Sequence, residues 1–187
     1  EVSLKQDTEY EDLILRVEGR ADGIFTEEET VCIDEIKGVY KKLEHLESPV
    51  EVHRAQAMCY AWIYMLQNNL EKIDVQMTYA HLDTEEIRRF RESFSREELE
   101  AWYQKLTGEY HKWVSFRLKW QEKRNASMKN LEFPFPYRKG QREMVAGVYH
   151  AVSSKKQIFV QAPTGVGKTM SSVFPSVRAI GEGKGEL

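Results

Sequence analysis

The sequence contains little cysteine and no long apolar run, and both scarcities exclude classes of protein. Its 187 residues include two cysteines, Cys32 and Cys59, which lie far apart and form no CxxC pattern. This spacing argues against a disulfide framework and against a cysteine-rich zinc or iron–sulfur site. No stretch approaches the roughly 18 consecutive apolar residues that a membrane span needs, and the opening residues EVSLKQDTEY hold no apolar signal segment. The sequence therefore predicts a protein without a membrane span, in a reducing, cytoplasmic compartment.

The composition supports a folded core, and the charge is divided unevenly along the chain. Hydrophobic residues make up 41% and aromatic residues 11% of the sequence, which excludes a wholly disordered chain. Residues 1–83 carry 8 Lys/Arg and 18 Asp/Glu, whereas residues 84–187 carry 19 and 12. The acidic part could hold divalent cations and the basic part could lie along a phosphate backbone. Two ordinary solvated surfaces would give the same sums.

Periodicity and capping signals predict strands and a helix in the first half of the chain. Strands are expected at 11–25, with a tight turn near Asp22-Gly23, at 30–40 and at 73–81. A helix is expected between the last two strands, with Ser48 as its N-cap and Glu51 completing a capping box. This helix should end near Asn69.

The second half of the sequence is predicted to be mainly helical. Residues 83–95 should form a short helix, and the motif Ser95–Glu98 should cap a longer helix that ends near Lys123. A linker should follow at 124–130. Further along, the pattern predicts a helix from Gly140, a short buried strand at 157–161, a glycine-rich turn, and a helix that Gly181 ends.

The first group of residues that could take part in a chemical reaction consists of Asp22, Glu35, Lys37, Gln56 and Tyr60. Side chains alternate along a strand, so Glu35 and Lys37 share one face and Asp34 points to the other. Gln56 and Tyr60 are four residues apart on the predicted helix and share a face. Two carboxylates and a lysine suit metal-assisted phosphodiester cleavage, since Mg²⁺ and Mn²⁺ prefer hard oxygen ligands. The backbone carbonyl of Ile36 could supply a further oxygen.

The segments GRADGI (19–24), IDEIK (33–37) and HRAQAMCY (53–60) together resemble the RecB-type branch of the PD-(D/E)XK nuclease superfamily. The resemblance implies a restriction-endonuclease-like mixed sheet flanked by helices. It also implies a Mg or Mn site made by Asp22, Glu35 and Ile36, with Lys37, Gln56 and Tyr60 acting beside it, and DNA as the substrate. Scattered surface acids and a core helix are the plainer interpretation of the same residues.

One feature of that branch has no counterpart at the expected place. Its members usually carry a metal-binding histidine on an N-terminal helix, whereas the first histidine here is His45. We therefore expect the histidine-bearing segment to lie outside this sequence. His53 is an alternative metal ligand, but its position on the predicted helix favours a surface residue. The two remaining acidic ligands predict a weak metal site.

A second motif, APTGVGKT (162–169), lies between the predicted short strand and a helix, which is the context required of a phosphate-binding loop. Its glycines and the helix N-terminus would cradle phosphates, Lys168 would reach the β- and γ-phosphates, and Thr169 would ligate Mg²⁺. A glycine-rich turn without nucleotide is the alternative. The predicted ATP-binding residues of the loop are Thr164, Gly165, Val166, Gly167, Lys168 and Thr169.

Upstream of this loop, FPYRKGQREM (135–144) resembles the adenine-reading Q-motif of superfamily 2 helicases. Together with IFVQAPTGVGKT it resembles the XPD/DinG branch. The resemblance implies that Gln141 contacts adenine, that Tyr137 or Arg138 stacks near it, and that ATP with Mg drives the parent protein along DNA with single-stranded regions.

These motifs predict an α/β chain with two functions. A RecB-like nuclease domain is expected at 1–123, a linker at 124–133, and the start of a helicase motor, a P-loop strand–helix remnant, at 134–187. Because the sequence ends 18 residues after Thr169, we expect a fragment of a larger DNA helicase and nuclease acting in DNA repair or processing, which does not itself hydrolyse ATP. The alternative is a catalytically silent nuclease fold that serves the helicase as a DNA-binding module.

Two further features each allow two interpretations. An aromatic stripe on the third predicted helix is either a stacking surface for single-stranded DNA or a packing face, and packing is favoured. Arg88, Arg89 and Arg91 on the preceding predicted helix are either phosphate contacts or a solvated face. The stripe consists of Trp102, Leu106, Tyr110, Trp113, Phe116 and Trp120.

Overall fold

The computed structural model describes residues 1–185, which divide into two compact units between Lys112 and Trp113. The first unit holds six strands, a short 3-10 helix and α1. Helix α2 (Arg96–Lys129) begins in the first unit and ends in the second, which also holds α3 (Gln141–Ser153) and α4 (Lys168–Gly181). The elements of the first unit are β1 (Val2–Glu9), β2 (Ile14–Ala21), β3 (Gly23–Glu27), β4 (Thr30–Val39), the 3-10 helix (Leu43–His45), α1 (Glu51–Asn68), β5 (Lys72–His81) and β6 (Ile87–Ser95).

The strands of the first unit form two sheets. Strands β1 and β2 make an antiparallel pair, and the second sheet has the order β3-β4-β5-β6. In that second sheet β4 and β5 are parallel, whereas the outer pairs are antiparallel. Parallel neighbours need a crossover connection, and α1 supplies it between β4 and β5. The sheet is therefore mixed, and α1 packs on one of its faces.

The hydrophobic core of the first unit lies between α1 and the mixed sheet. Strand β5 is central and contributes Ile73, Val75, Met77 and Tyr79, all of which are almost fully buried. The alternate residues of β5 are polar but also buried, so the strand is covered on both faces. Helix α1 faces it with a cluster of buried residues, Ala57, Met58, Tyr60, Ala61, Trp62, Ile63 and Met65.

The strands predicted at 30–40 and 73–81 and the helix α1 are present, and the strand predicted at 11–25 forms β2 and β3 on either side of Asp22. The predicted cap of α1, however, is wrong. Val50, in extended conformation, is the N-cap, and the structure has no side-chain hydrogen bond from that residue. The backbone N–H of Val50 instead donates to the hydroxyl of Tyr79 at 2.9 Å. Tertiary packing on β5 therefore positions the start of this helix. Its end is as predicted, because Asn69 adopts the left-handed conformation that ends many helices.

The prediction of a short helix over 83–95 is also wrong, because Ile87–Ser95 forms the edge strand β6. The sequence IRRFRESFS alternates between two faces. Phe90 and Phe94 face the core, whereas Arg91 pairs with Glu27 and with Asp74. Hydrogen bonding and side-chain packing against β5 stabilise these residues as a strand, and this stabilisation outweighs the helix-capping signal at 83–86.

Helix α2 confirms its predicted start but not its predicted end. The hydroxyl of Ser95 accepts the N–H of Glu98, and the carboxylate of Glu98 accepts the N–H of Ser95, which is a complete capping box. The helix continues to Lys129, so residues 124–129 of the predicted linker are helical. The aromatic stripe divides accordingly: Trp102 packs against the core, whereas Phe116 and Trp120 are exposed.

In the second unit, α3 begins and α4 ends close to the predicted residues. The predicted strand at 157–161 is wrong, because these residues are irregular and Phe159 is 94% exposed. A buried strand needs a neighbouring strand, and the second unit forms none within residues 113–185. The predicted α/β fold class is confirmed, since the described chain contains a mixed β-sheet and helices that flank it. None of its described helices combines the length and apolarity needed to cross a membrane.

Candidate nuclease site and phosphate loop

Asp22 lies where the chain leaves one sheet and enters the other. It is the single residue between β2 and β3, and one oxygen of its carboxylate accepts the backbone N–H of Ile36 on β4 at 2.9 Å. In a β-strand the N–H and C=O of one residue face the same edge. The carbonyl of Ile36 therefore faces the side on which Asp22 lies. This bond fixes Asp22 against the strand that carries Glu35.

Glu35 is almost completely buried on the face of β4 that is covered by α1. One of its oxygens lies 2.5 Å from the ammonium of Lys37, two residues along the same strand. The other oxygen, Oε2, is buried and has no hydrogen-bond partner. Burial raises the pKa of this carboxyl, and the ammonium of Lys37 opposes the shift. Asp34 lies on the opposite face, where it accepts the hydroxyl of Thr78.

Gln56 and Tyr60 extend this network from α1. The side-chain oxygen of Gln56 accepts a hydrogen bond from Lys37 at 3.2 Å, and its amide donates to the hydroxyl of Tyr60 at 3.1 Å. Lys37 is thus held between the strand and the helix. The structure therefore brings Glu35, Lys37, Gln56 and Tyr60 into one continuous chain of contacts.

Gly19 on β2 allows Tyr60 to reach its place. A Cβ atom built on Gly19 would lie 2.5 Å from the Tyr60 hydroxyl and 2.8 Å from its ring. These distances are too short for any side chain, so the ring must move if the glycine is replaced. The motif GRADGI thus has two contributions to the site. Gly19 lets the ring of Tyr60 lie against the backbone of β2, and Asp22 supplies a carboxylate.

Replacing Gly19 by alanine is expected to displace Tyr60 and to destabilise the first unit by about 1–3 kcal/mol, the usual cost of overpacking. Urea unfolding followed by circular dichroism measures the loss. The double variant Gly19→Ala/Tyr60→Leu removes the ring that the new methyl group meets. If Gly19→Ala were equally destabilising in both backgrounds, this contact would not be the cause.

The residues present suit a divalent cation only in part. Glu35 Oε2 is a buried carboxylate oxygen without a protein partner, and such atoms are expected where an ion binds. The carboxylate of Asp22 lies at the edge of β4 that the Ile36 carbonyl also faces. However, residues 1–185 contain no group of three or more His, Cys, Asp and Glu side chains that could hold a metal ion. A cation here would have to use two carboxylates, the backbone and water.

The glycine-rich loop leads directly into α4, which begins at Lys168. Gly165 and Gly167 both have positive φ angles, of 80° and 82°, and Gly167 is the N-cap of the helix. The ammonium of Lys168 folds back onto the loop and donates to the carbonyls of Ala162 and Pro163 at 3.0 Å each. Thr164 is exposed on the loop, Val166 is half-buried there, and Thr169 is exposed in the first turn of α4.

The residues of the Q-motif lie against this loop. Arg138 donates to the carbonyl of Gly165, and the side-chain oxygen of Gln141 accepts the backbone N–H of Arg138 at 3.0 Å. The Gln141 amide is so close to Gly167 that a Cβ there would lie 2.6 Å from it. Tyr137 stacks on Phe133, with 4.4 Å between the ring centroids. The two motifs are therefore in direct contact, through residues such as Arg138 and Gly165 that are 27 positions apart in sequence.

The sequence reasoning favoured a surface position for His53 and placed three arginines on a helix, and the structure differs in both respects. His53, predicted on the surface of α1, is half-buried and its Nδ1 lies 3.3 Å from the Tyr79 hydroxyl. Arg88, Arg89 and Arg91 lie on β6 and not on a helix. Arg91 is held by Glu27 and Asp74, and Arg88 donates to the carbonyl of Leu43. The i, i+3, i+7 spacing of His53, Gln56 and Tyr60 places all three on one side of α1.

Comparisons with known proteins give one partial match in sequence. The chain matches no protein-family model. Over 47 residues, 25% of its length, it is 38% identical to the protein named "Probable ATP-dependent helicase MJ0942" from Methanocaldococcus jannaschii, and those residues cover 7% of that protein. The chain thus spans a small part of the length of this curated relative.

One solved structure also resembles part of the chain. The protein in the "Crystal structure of SSO0001" overlaps with 48% of this chain and 38% of its own, at 21% sequence identity and a TM-score of 0.36. An overlap of that quality supports no assignment of fold.

Proposed function

We propose that this chain belongs to an ATP-dependent DNA helicase that also carries a metal-dependent DNA nuclease domain and acts in DNA repair or processing. The observation that carries the nuclease proposal is the continuous network from Glu35 through Lys37 and Gln56 to Tyr60, beside a buried carboxylate oxygen without a partner. Such an arrangement has a cost in stability that a solely structural site would not need.

The roles in this proposal follow from the contacts. Asp22, Glu35 and the carbonyl of Ile36 would hold Mg²⁺ or Mn²⁺. The bound ion would lower the pKa of a coordinated water molecule and stabilise charge on the scissile phosphate. Lys37 would position the attacking water or neutralise the developing charge. Gln56 holds the ammonium of Lys37 in place, and Tyr60 in turn orients the amide of Gln56.

The helicase part of the proposal rests on the contact between the two motifs of the second unit. Lys168 would exchange its bonds with the loop carbonyls for the β- and γ-phosphates of ATP, and Thr169 would bind the Mg²⁺. Gln141 would contact adenine from its position beside Gly167, and Tyr137 or Arg138 would stack near the base. The partial similarity to an ATP-dependent helicase supports this proposal.

A second candidate function is a DNA-binding module without nuclease activity. It is favoured by the absence, among residues 1–185, of a third acidic or histidine side chain close enough to complete a metal site. In this case the first unit would hold DNA for the helicase and Lys37 would contact a phosphate. Cleavage assays distinguish the two functions.

The decisive experiment is a nicking assay on plasmid and on single-stranded oligonucleotides with Mn²⁺ or Mg²⁺. We expect metal-dependent cleavage that Glu35→Ala reduces at least about 100-fold, because a metal contributes several kcal/mol of transition-state stabilisation. The matched control is Asp34→Asn, the neighbouring acid on the opposite face of β4, which should cleave normally. Unchanged cleavage by Glu35→Ala, or none by the native protein, would favour the binding module.

A further inference from the structure

His53 lies on the same face of α1 as two residues of the proposed nuclease site. It precedes Gln56 by three residues and Tyr60 by seven, a spacing that places all three on one side of a helix. Its side chain is half-buried. Beneath it lies Tyr79 of β5, whose ring centroid is 6.0 Å from that of His53.

The hydroxyl of Tyr79 determines which nitrogen of His53 carries the proton. This hydroxyl accepts the backbone N–H of Val50 at 2.9 Å and lies 3.3 Å from His53 Nδ1. Tyr79 is only 1% exposed, so its own proton needs a protein acceptor. Nδ1 is that acceptor, and the proton of the neutral ring therefore lies on Nε2.

Lys37 is the immediate neighbour of this pair. Lys37 of β4 is in register with Tyr79 of β5, so the two side chains lie side by side on the face that α1 covers. Burial, and next the charge of Lys37, lower the pKa of His53. The imidazole is thus a neutral N–H donor beside a cation.

We propose that His53 binds the DNA backbone in this site. Its Nε2–H donates a hydrogen bond to an oxygen of one phosphate group, and Lys37 contacts the adjacent phosphate group. This inference rests on the proposed nuclease or DNA-binding function of the first unit. A metal ion would need a nitrogen lone pair, but the lone pair of Nδ1 is used by Tyr79 and Nε2 carries the proton. A phosphate oxygen is an acceptor only, which complements the N–H of His53 and the ammonium of Lys37.

Binding is tested first, without metal, so that cleavage does not enter. Fluorescence anisotropy of a labelled single-stranded oligonucleotide in EDTA should show about tenfold weaker binding by His53→Leu, the usual loss for one hydrogen bond to a charged group. His53→Gln, which keeps an N–H donor at similar reach, should restore most of the affinity. His45→Leu, at an exposed histidine, is the matched control and should bind like the native protein.

The salt dependence of binding separates a neutral donor from a charge. Because a neutral N–H releases no counterion, His53→Leu should leave the slope of log affinity against log salt unchanged, whereas Lys37→Ala should reduce it by roughly 0.7. Native affinity for His53→Leu, equal weakening by His53→Gln, or a lower salt slope would overturn the inference. Thermal unfolding confirms that the variants are folded.

Cleavage with Mn²⁺ gives a second measurement. His53→Leu should raise KM about tenfold with kcat nearly unchanged, and the affinity for Mn²⁺, measured by calorimetry without DNA, should not change. A large loss of Mn²⁺ affinity would make His53 a metal ligand and overturn the inference. If the native protein does not cleave at all, the nuclease proposal fails, and the binding measurements in EDTA still decide the role of His53.

Discussion

Replacing Glu35 by methionine is expected to raise the thermal unfolding midpoint of the protein at pH 7 in EDTA by several degrees. The carboxylate is buried and Oε2 has no partner, and an unsatisfied buried group costs about 1–3 kcal/mol. Methionine has a similar volume and no polar atom to satisfy. Lys37 keeps Gln56 as its acceptor and remains a quarter exposed, so its charge stays solvated. Glu35→Gln should gain less, because its amide keeps unsatisfied donors.

The pH dependence of this effect has a defined sign. Burial raises the pKa of Glu35 above its value in the unfolded chain. The stability associated with the protonated form is therefore fully present below the unfolded pKa and is lost as pH rises through the folded pKa. The advantage of Glu35→Met should accordingly be large at pH 7 and should shrink as pH falls towards about 4.

In the presence of Mn²⁺, the native protein should be more stable than Glu35→Met, which is the reverse of the order expected in EDTA. A cation that binds only the folded protein stabilises it by about 2.7 kcal/mol at 100 times its dissociation constant, and only the native carboxylate can bind it. Glu44→Gln, at an exposed acid, should change neither measurement. If Glu35→Met is less stable than the native protein in EDTA at pH 7, Glu35 has a structural role. The unpartnered oxygen Oε2 is then not evidence for a bound ion.

Replacing Gly167 by alanine is expected to abolish ATP binding and to destabilise the second unit. Gly167 has φ of 82°, which costs a residue with a side chain about 1–3 kcal/mol. The new methyl group would also lie 2.6 Å from the amide of Gln141. Hydrogen exchange of the α3 and α4 amides measures the local loss of stability, and calorimetry measures ATP affinity.

Two further variants separate backbone strain from the contact with Gln141. Gly165 has a similar φ of 80°, but a Cβ there would meet nothing within 4 Å. Gly165→Ala should therefore cost less than Gly167→Ala. In a Gly167→Ala/Gln141→Ala double variant the contact is relieved, so the remaining loss should approach that of Gly165→Ala. Additive losses from Gly167→Ala and Gln141→Ala would contradict a direct interaction.

The local periodicity of the sequence determined several elements and the composition of the candidate site. The alternation of side chains in a strand places Glu35 and Lys37 on one face whatever the surroundings, and the helical repeat does the same for Gln56 and Tyr60. The capping box of Ser95 and Glu98 is equally local, since its donors and acceptors lie within four residues. Such features need no information from distant parts of the chain.

Tertiary structure decided the features whose partners lie far away in sequence. Residues 87–95 form a strand because β5 offers them a ladder and a core, although the preceding residues carry a helix-capping signal. Residues 157–161, apolar enough for a strand, remain irregular where the described chain provides no neighbour. The start of α1 depends on Tyr79, 29 residues beyond Val50, and not on Ser48. Likewise, no local pattern indicates that Glu35 Oε2 is buried without a hydrogen-bond partner or that the Tyr79 hydroxyl lies 3.3 Å from His53 Nδ1. Burial and hydrogen-bond partners depend on how the elements pack.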